Sequence, residues 1–292
     1  AHYYQTGDIQ DIADYVGDSL ELSRKAAETQ ADIIVFAGVK FMAETAKILS
    51  PATKVLLPDM NAGSLLSDTC EPGEFSKFLS DNPGRTVITY VNSSAEIKAL
   101  SDITCTSSNA YKIVESLPAD EKIIFAPDRN LGSYVADMLN RDIIIWQGAC
   151  HVHEKFSVQK IAHLKDKHPD AKIIVHPECK KAVRDMADFI GSTGGLLKYI
   201  KNDSAEKYII GTDRGIIHQM KKERPEKIFI SAGEDCIEEK CAECEYMRLI
   251  TMEKIYLTLK NEQPEIFMER NLIEKAEKPI RRMLDISDRL GL

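Results

Sequence analysis

The 292-residue chain has no stretch approaching the roughly 20 uncharged apolar residues that a membrane-spanning helix needs. Its first residues, AHYYQTGDIQ, show neither a basic n-region nor an apolar h-region, so the chain reads as cytoplasmic, and AHYYQ looks like the end of a strand whose start is missing. Basic charge is in deficit as well. With 38 Lys and Arg against 46 Asp and Glu the net charge is −8, a field that disfavours nucleic acid and anionic membrane surfaces but leaves room for a local anion pocket. A disordered or fibrous composition is excluded by 43% hydrophobic residues with only 15 Gly and 11 Pro. The seven cysteines, Cys70, Cys105, Cys150, Cys179, Cys236, Cys241 and Cys244, are an odd number, and in a cytoplasmic chain they favour metal or core roles over disulfides.

What the chain does have is an internal repeat. IADYVGDS (12–19), LSDITCTS (100–107) and MADFIGST (186–193) share one pattern at spacings of 88 and 86 residues. Each copy has an Asp at a helix end (Asp14, Asp102, Asp188), a short apolar strand, and Ser or Thr opening the next helix. Before each copy comes a first strand, TVITYVN or KIIVHPE, with AHYYQ in the same place, so that His2, Tyr90 and His176 become equivalent. After each copy come two further apolar runs, such as KIIFAPD and DIIIWQGA in the second unit, of the kind a parallel strand covered on both faces requires. Pro58, Pro127 and Pro177 sit just past strand ends, where a missing N–H is tolerated. The expected fold is therefore α/β: three pseudo-symmetric α/β/α sub-domains with parallel sheets around a central active site. Linkers near 80–85 and 165–171 place the units at 1–82, 83–168 and 169–292, the last with the C-terminal helices. In this arrangement the loops at the carboxyl ends of the strands face a common centre.

Three groups on those loops carry chemistry. Ser19, Ser107 with Ser108, and Ser192 with Thr193 open helices, where they serve as N-caps or, converging, as a site for carboxylates or a phosphate. The pairs His2 and Tyr4, Tyr90 and Asn92, and His176 and Glu178 alternate along strand ends and so share a face. A carboxylate beside imidazoles and phenols is equipment for moving protons at carbon next to a carbonyl or imine, with Glu178 the candidate base; the plainer alternative makes His176 and Tyr90 hydrogen-bonded core residues. The third group is GACHVHEKF (148–156) and CAECEYMRLITMEKI (241–255). It sets Cys150 beside His151 and His153, and its single C-x-x-C, Cys241 and Cys244 with Cys236 before it, suits zinc, iron–sulfur or a redox dithiol. Cys105 and Cys179 read as packing residues.

The ordered motifs AHYYQ, QDIADYVGDSLELSRKA, PDMNAG, YVNSSAE, CTSSNA, PDRNLG, CHVH, VHPEC, GSTGG and CEYMRLITMEKIYLTL resemble the quinolinate synthase (quinolinate synthetase A) family over essentially the whole chain. The resemblance implies an iron–sulfur enzyme of NAD biosynthesis that condenses iminoaspartate with dihydroxyacetone phosphate, linked functionally to whatever enzyme supplies iminoaspartate. It also implies a 4Fe-4S cluster held by one cysteine from each sub-domain, with the fourth iron open as a Lewis acid. By motif, two ligands fall on Cys150 and Cys244. Glu178, Tyr90, His176 and Tyr4 take catalytic positions, and His2, Ser19, Asn92, Ser107, His153, Ser192 and Thr193 match substrate-binding ones. The chain departs from the family at the third ligand, where PDMNAG is followed by Ser64 rather than Cys, and at Asp213, where the family shows Glu. An alkoxide is a harder and far more basic ligand than a thiolate, so Ser64 should hold iron less well. Cys70, six residues on, is the nearest substitute and would require the loop to remodel. The alternatives are a cluster-impaired homologue that binds substrates without full turnover, and a zinc or dithiol protein on the same scaffold.

Overall fold

In the computed structural model, which describes residues 1–233 and 243–292, strands and helices alternate along the chain and all the named strands pair in parallel. The first sheet holds β1 (Ile33–Val35) and β2 (Lys54–Leu56). The second holds β3 (Thr86–Tyr90), β4 (Ile103–Cys105), β5 (Ile123–Ala126) and β6 (Ile143–Ile145) in the order β4-β3-β5-β6. The third holds β7 (Lys172–Val175), β8 (Phe189–Ile190), β9 (Lys207–Gly211) and β10 (Ile228–Ser231) in the equivalent order β8-β7-β9-β10. The first sheet follows this order in outline: His2 bridges Gly17 in parallel, and its backbone N–H donates to the Ala37 carbonyl at 3.0 Å. The expected α/β class and its three parallel sheets are both present.

The repeat has a physical reason in its second and third copies. β5 is buried at all four residues and β3 at four of five, so their unbroken Val, Ile and Phe character meets apolar helices on both faces. The recurring aspartates tie neighbouring strands together. Asp102 accepts the backbone N–H of Val87 at 2.8 Å, and Asp188 accepts that of Ile173 at 2.7 Å. Both expected linkers are loops that lead from a helix, Pro72–Asp81 or Val158–Lys167, into the first strand of the next sheet.

One apolar core spans the first two sheets, joining Ile48 and Val55 to Ile88, Ile103 and Phe125. The third sheet has a separate cluster on each face, with Ile173 and Val175 on one side and Ile174 on the other, as strand alternation dictates. Tyr3 belongs to the third sheet's core although it lies at the chain's start, so residues 2–5 are pinned across from the first sheet to the third. The C-terminal helix Arg270–Arg289 buries Ile273, Ala276, Ile280, Met283 and Leu284, a stripe at helical spacing, against the helices Lys40–Leu49 and Ala95–Ala99 and against β4. Among the described residues no helix is long and apolar enough to cross a membrane. Ile280 is fully buried in this seam, so Ile280→Ala should cost about 2–5 kcal/mol. Equilibrium urea unfolding measures it, and a loss within error of zero would mean that the C-terminal helix is not part of the core.

Candidate active site

Each first strand ends by turning polar side chains toward the other two units. His2, Tyr90 and His176 are all buried, and Tyr4, Asn92 and Glu178, two residues on from each, line the same cavity. Two of the three copies share a local device. The backbone N–H of Tyr4 donates to His2 Nδ1 at 3.1 Å, and that of Glu178 to His176 Nδ1 at 3.3 Å. With Nδ1 accepting, the proton of each neutral ring sits on Nε2; that of His176 is donated to Ser107 Oγ at 3.1 Å. Burial above all pushes the His2 pKa down to about 3 and lowers that of His176, which keeps both imidazoles neutral. Burial likewise raises the Tyr4 and Tyr90 hydroxyls well above the ordinary tyrosine value, so both stay protonated and able to donate.

Glu178 behaves differently in the same surroundings. Burial alone would raise its pKa, but attraction and hydrogen bonding to His153 outweigh it and hold the carboxyl below its usual range. Its Oε2 lies 2.8 Å from His153 Nδ1 and 3.4 Å from His176 Nδ1. Its Oε1 is buried without a partner, as is Asn92 Oδ1 on the same cavity. Two unpartnered acceptors in one pocket mark a place where a ligand donates hydrogen bonds.

The helix starts do converge, through Ser108 and Ser192 of the sequence pattern and with Asp18 in place of Ser19. Asp18, not Ser19, caps the helix Ser19–Glu28, accepting from Leu20 and Glu21 at 3.0 and 3.1 Å while Glu21 accepts the Asp18 N–H at 2.7 Å. Ser192 caps the helix Thr193–Asn202 through Gly195 N–H at 3.1 Å. Ser108 Oγ donates to Asp18 Oδ2 and lies 2.9 Å from Ser192 Oγ, so one side chain from each unit meets at the centre. Ser19, Ser107 and Thr193 line the cavity; Ser192 is not among the residues that line it and serves this junction instead.

The loops after the third strands bring Ser64, Cys150 and Cys244 to the cavity. The backbone shows that the positions correspond: Lys40 N–H donates to Ala62 O at 2.7 Å and Arg129 N–H to Gly148 O at 2.8 Å, two residues before Ser64 and Cys150 respectively. Buried carboxylates hold the two cysteines. Asp128 Oδ2 accepts Cys150 N–H at 3.0 Å, and Asp213 Oδ2 accepts Cys244 N–H at 2.7 Å while pairing with Arg248 at 3.1 Å. Val39 stands where Asp128 does, so the first unit has no such carboxylate. Ser64 Oγ accepts the Ser67 N–H at 3.4 Å as the cap of the helix Leu65–Asp68. Cys70, the sequence-based substitute, is buried away from the cavity with Phe75, Val87 and Ile124; the helix between it and Ser64 holds it there. Cys105 and Cys179 are buried and off the cavity wall, in line with packing roles. Cys236 and Cys241, and with them the C-x-x-C, lie outside the described residues.

Two thiols and one hydroxyl from equivalent loops of three units form a donor set that fits an iron–sulfur cluster with one oxygen corner. Cys150 Sγ also lies within 4.8 Å of the nearest donor atoms of His153 and Glu178.

Residues 1–285 match the family described as quinolinate synthetase A protein. The chain belongs to the quinolinate synthetase A family. It is similar to the quinolinate synthase of Microcystis aeruginosa, at 57% identity over 289 residues covering 98% of this chain and 90% of that protein. It is 55% identical to the quinolinate synthase of Nostoc sp. strain PCC 7120 over 290 residues, 99% of this chain and 89% of the relative. The corresponding Synechocystis protein is 56% identical over 289 residues. The chain is thus an enzyme of the quinolinate synthase kind, and the names place it in NAD biosynthesis.

Sequence reasoning missed Asp18, Asp128 and Thr212 in this quinolinate synthetase site. Asp18 stands in GDS beside the serine that drew attention, and three residues before Glu21, which is a capping-box spacing. Asp128 and Asp213 occupy equivalent places in APD and GTD, a signal visible once the second strands are aligned. Removing the Asp18 carboxylate deletes the cap and the bond to Ser108 together, so Asp18→Ala should lower stability by about 1–2 kcal/mol in urea unfolding. A change below about 0.3 kcal/mol would show that the junction contributes nothing.

Proposed function

We propose that this chain condenses iminoaspartate with dihydroxyacetone phosphate to give quinolinate, phosphate and water, with Glu178 as its acid and base. The observation that carries this reading is the unpartnered Glu178 Oε1, charged and buried in a cavity walled by equivalent residues of three units. An ionised carboxylate with a free lone pair accepts a proton from carbon beside an imine or carbonyl. Tyr90 and Tyr4, kept protonated, and His176 and His2, kept neutral with Nε2–H, donate to the oxygens and nitrogens on which charge develops. Ser19, Ser107 and Thr193 at the helix starts, with Asn92 and His153, supply the contacts for carboxylates and phosphate.

Cys150, Cys244 and Ser64 would hold a 4Fe-4S cluster, which when bound supplies a Lewis acid at its open iron. A cytoplasmic setting goes with this reading, since the described cysteines are free thiols and such clusters are oxygen-sensitive. Ser64 also supports a second reading, in which the site binds both substrates but holds its cluster too loosely to turn them over.

Iron and acid-labile sulfide per chain after anaerobic purification separate the two. The first predicts about four of each in this chain and in Ser64→Cys, with quinolinate formed by both. A full cluster in Ser64→Cys alone would establish the second. For the base, Glu178→Gln should keep cluster content and substrate binding yet lose at least about 100-fold in turnover. Undiminished turnover removes Glu178 from the chemistry.

A further inference from the structure

Arg184 ends the short helix Lys181–Arg184 of the third unit and is only 4% exposed. A guanidinium keeps its charge at any working pH, so what its N–H groups hold in the interior is informative. Nη1 donates to the carbonyls of Asn130 at 2.8 Å, Pro177 at 3.1 Å and Cys179 at 2.7 Å, and Nη2 donates to Ser133 Oγ at 3.2 Å. The guanidinium carbon lies 5.6 Å from the centre of the Tyr134 ring, within cation–π range. Every acceptor is a neutral oxygen. An ion-pair partner would draw the same N–H groups to itself; here they go to backbone carbonyls instead.

Two of those carbonyls belong to the residues on either side of Glu178. The peptide between Pro177 and Glu178 is trans, so its C=O and N–H point in opposite directions. Holding Pro177 O therefore also sets the direction of the Glu178 N–H, which donates to His176 Nδ1 at 3.3 Å. Beyond Glu178 the same nitrogen of Arg184 holds the Cys179 carbonyl, while the Cys179 N–H donates to the His176 carbonyl at 3.0 Å. The backbone of Glu178 is thus fixed on both sides without any use of its carboxylate. The other contacts reach the second unit. Asn130 and Ser133 lie on the helix Arg129–Leu139, whose cap Asp128 accepts the Cys150 N–H at 3.0 Å. The Asn130 side chain donates to Glu154 Oε1 at 2.7 Å, on the helix that follows Cys150.

We propose that Arg184 is a positioning residue that clamps the backbone on both sides of Glu178 and ties it to the second unit, so that the carboxylate stands at a fixed place relative to Cys150. The clamp works on peptide groups and from outside the cavity, since Arg184 is not among the residues that line it. The inference rests on Glu178 as the acid and base, and it adds the residue that sets where the main chain delivers that carboxylate.

Arg184→Met keeps a long apolar stem and removes every N–H, whereas Arg184→Lys puts three N–H groups on one nitrogen from a stem one bond shorter. In hydrogen–deuterium exchange of the full chain, the amides of Glu178 and Cys179 should exchange at least about 10-fold faster in Arg184→Met, with the amides of β7 as protected as in the parent. In turnover per iron-loaded chain, Arg184→Met should lose about 10- to 100-fold in kcat with KM little changed, the signature of a misplaced catalytic group beside an intact binding site. Arg184→Lys should recover part of both losses. Unchanged exchange at Glu178 and Cys179 in Arg184→Met would overturn the proposal, as would an Arg184→Lys variant no better than Arg184→Met. So would a fall in melting temperature and iron content with kcat per loaded chain as in the parent, which would make Arg184 a joint between units and nothing more. The exchange measurement does not depend on turnover, so a parent chain that forms no quinolinate defeats the proposed function while the clamp is still decided by the amides.

Discussion

Parallel sheets that aim their carboxyl ends at a common centre bury polar side chains that no single sheet can satisfy. A buried hydrogen-bonding group left without a partner costs about 1–3 kcal/mol, so the three units are bound by the need to complete one another's polar groups. Ser108 of the second unit meets Asp18 of the first and Ser192 of the third. His176 reaches Ser107, Tyr4 reaches Thr212, and His153 reaches Glu178, each across a unit boundary. Apolar packing adds to this joining: Met247, Ile250 and the C-terminal helix of the third unit lie in the core shared by the first two sheets, and Tyr3 of the first unit lies in one of the third sheet's. The site is therefore the joint itself. Its side chains are ordered by the same bonds that hold the units together.

Low dielectric treats the groups of that joint unequally, and the inequality is what makes chemistry possible. Burial works against charge on every one of them. The imidazoles of His2 and His176 and the phenols of Tyr4 and Tyr90 yield to it and remain neutral donors. Asp128 yields as well, raised by burial and by the charge of Glu178 nearby. Glu178 resists, because His153 lies against its Oε2. One pocket thus holds a charged acceptor among neutral donors, the separation of protonation states that lets a single site run acid and base steps together.

Much of this was legible in the sequence, for reasons that vary with the feature. Runs such as TVITY and KIIV read as parallel strands because burial on both faces leaves little room for polar residues. The aspartates at equivalent spacing were visible as a pattern, and their work, tying Val87 and Ile173 to the neighbouring strand, only in the fold. The pairs His2 and Tyr4, Tyr90 and Asn92, and His176 and Glu178 do meet on one cavity, although Tyr4, Asn92 and Glu178 lie in turns past the strands and not on them. Capping was read one residue off at Ser19, because an Asp and a Ser side by side are both good caps and local sequence does not choose between them. Cys70 was close in sequence to Ser64 but not in space, since the short helix between them turns its side chain into another core. Thr212 was illegible because its partners, Tyr4 and His153, come from residues 208 and 59 positions away.

The oxygen at Ser64 sits in the one unit whose loop is also built differently. In the second and third units a buried aspartate grips the backbone of Cys150 or Cys244, whereas Val39 occupies that place in the first. Ser64 instead is held by its own hydroxyl, through the cap on Ser67 N–H. A hydroxyl has two acceptor lone pairs, so capping leaves one for a metal, and the two uses are compatible. A thiol would serve the metal better and the helix worse, being the softer ligand and the weaker hydrogen-bond acceptor. At this position local folding favours oxygen and iron favours sulfur. Because the cap is long at 3.4 Å, the preference for oxygen on folding grounds is slight, and the loop can accept sulfur with little loss of stability. The serine at 64 is thus required neither by the fold, where its cap is weak, nor by a metal, which a thiol would serve better.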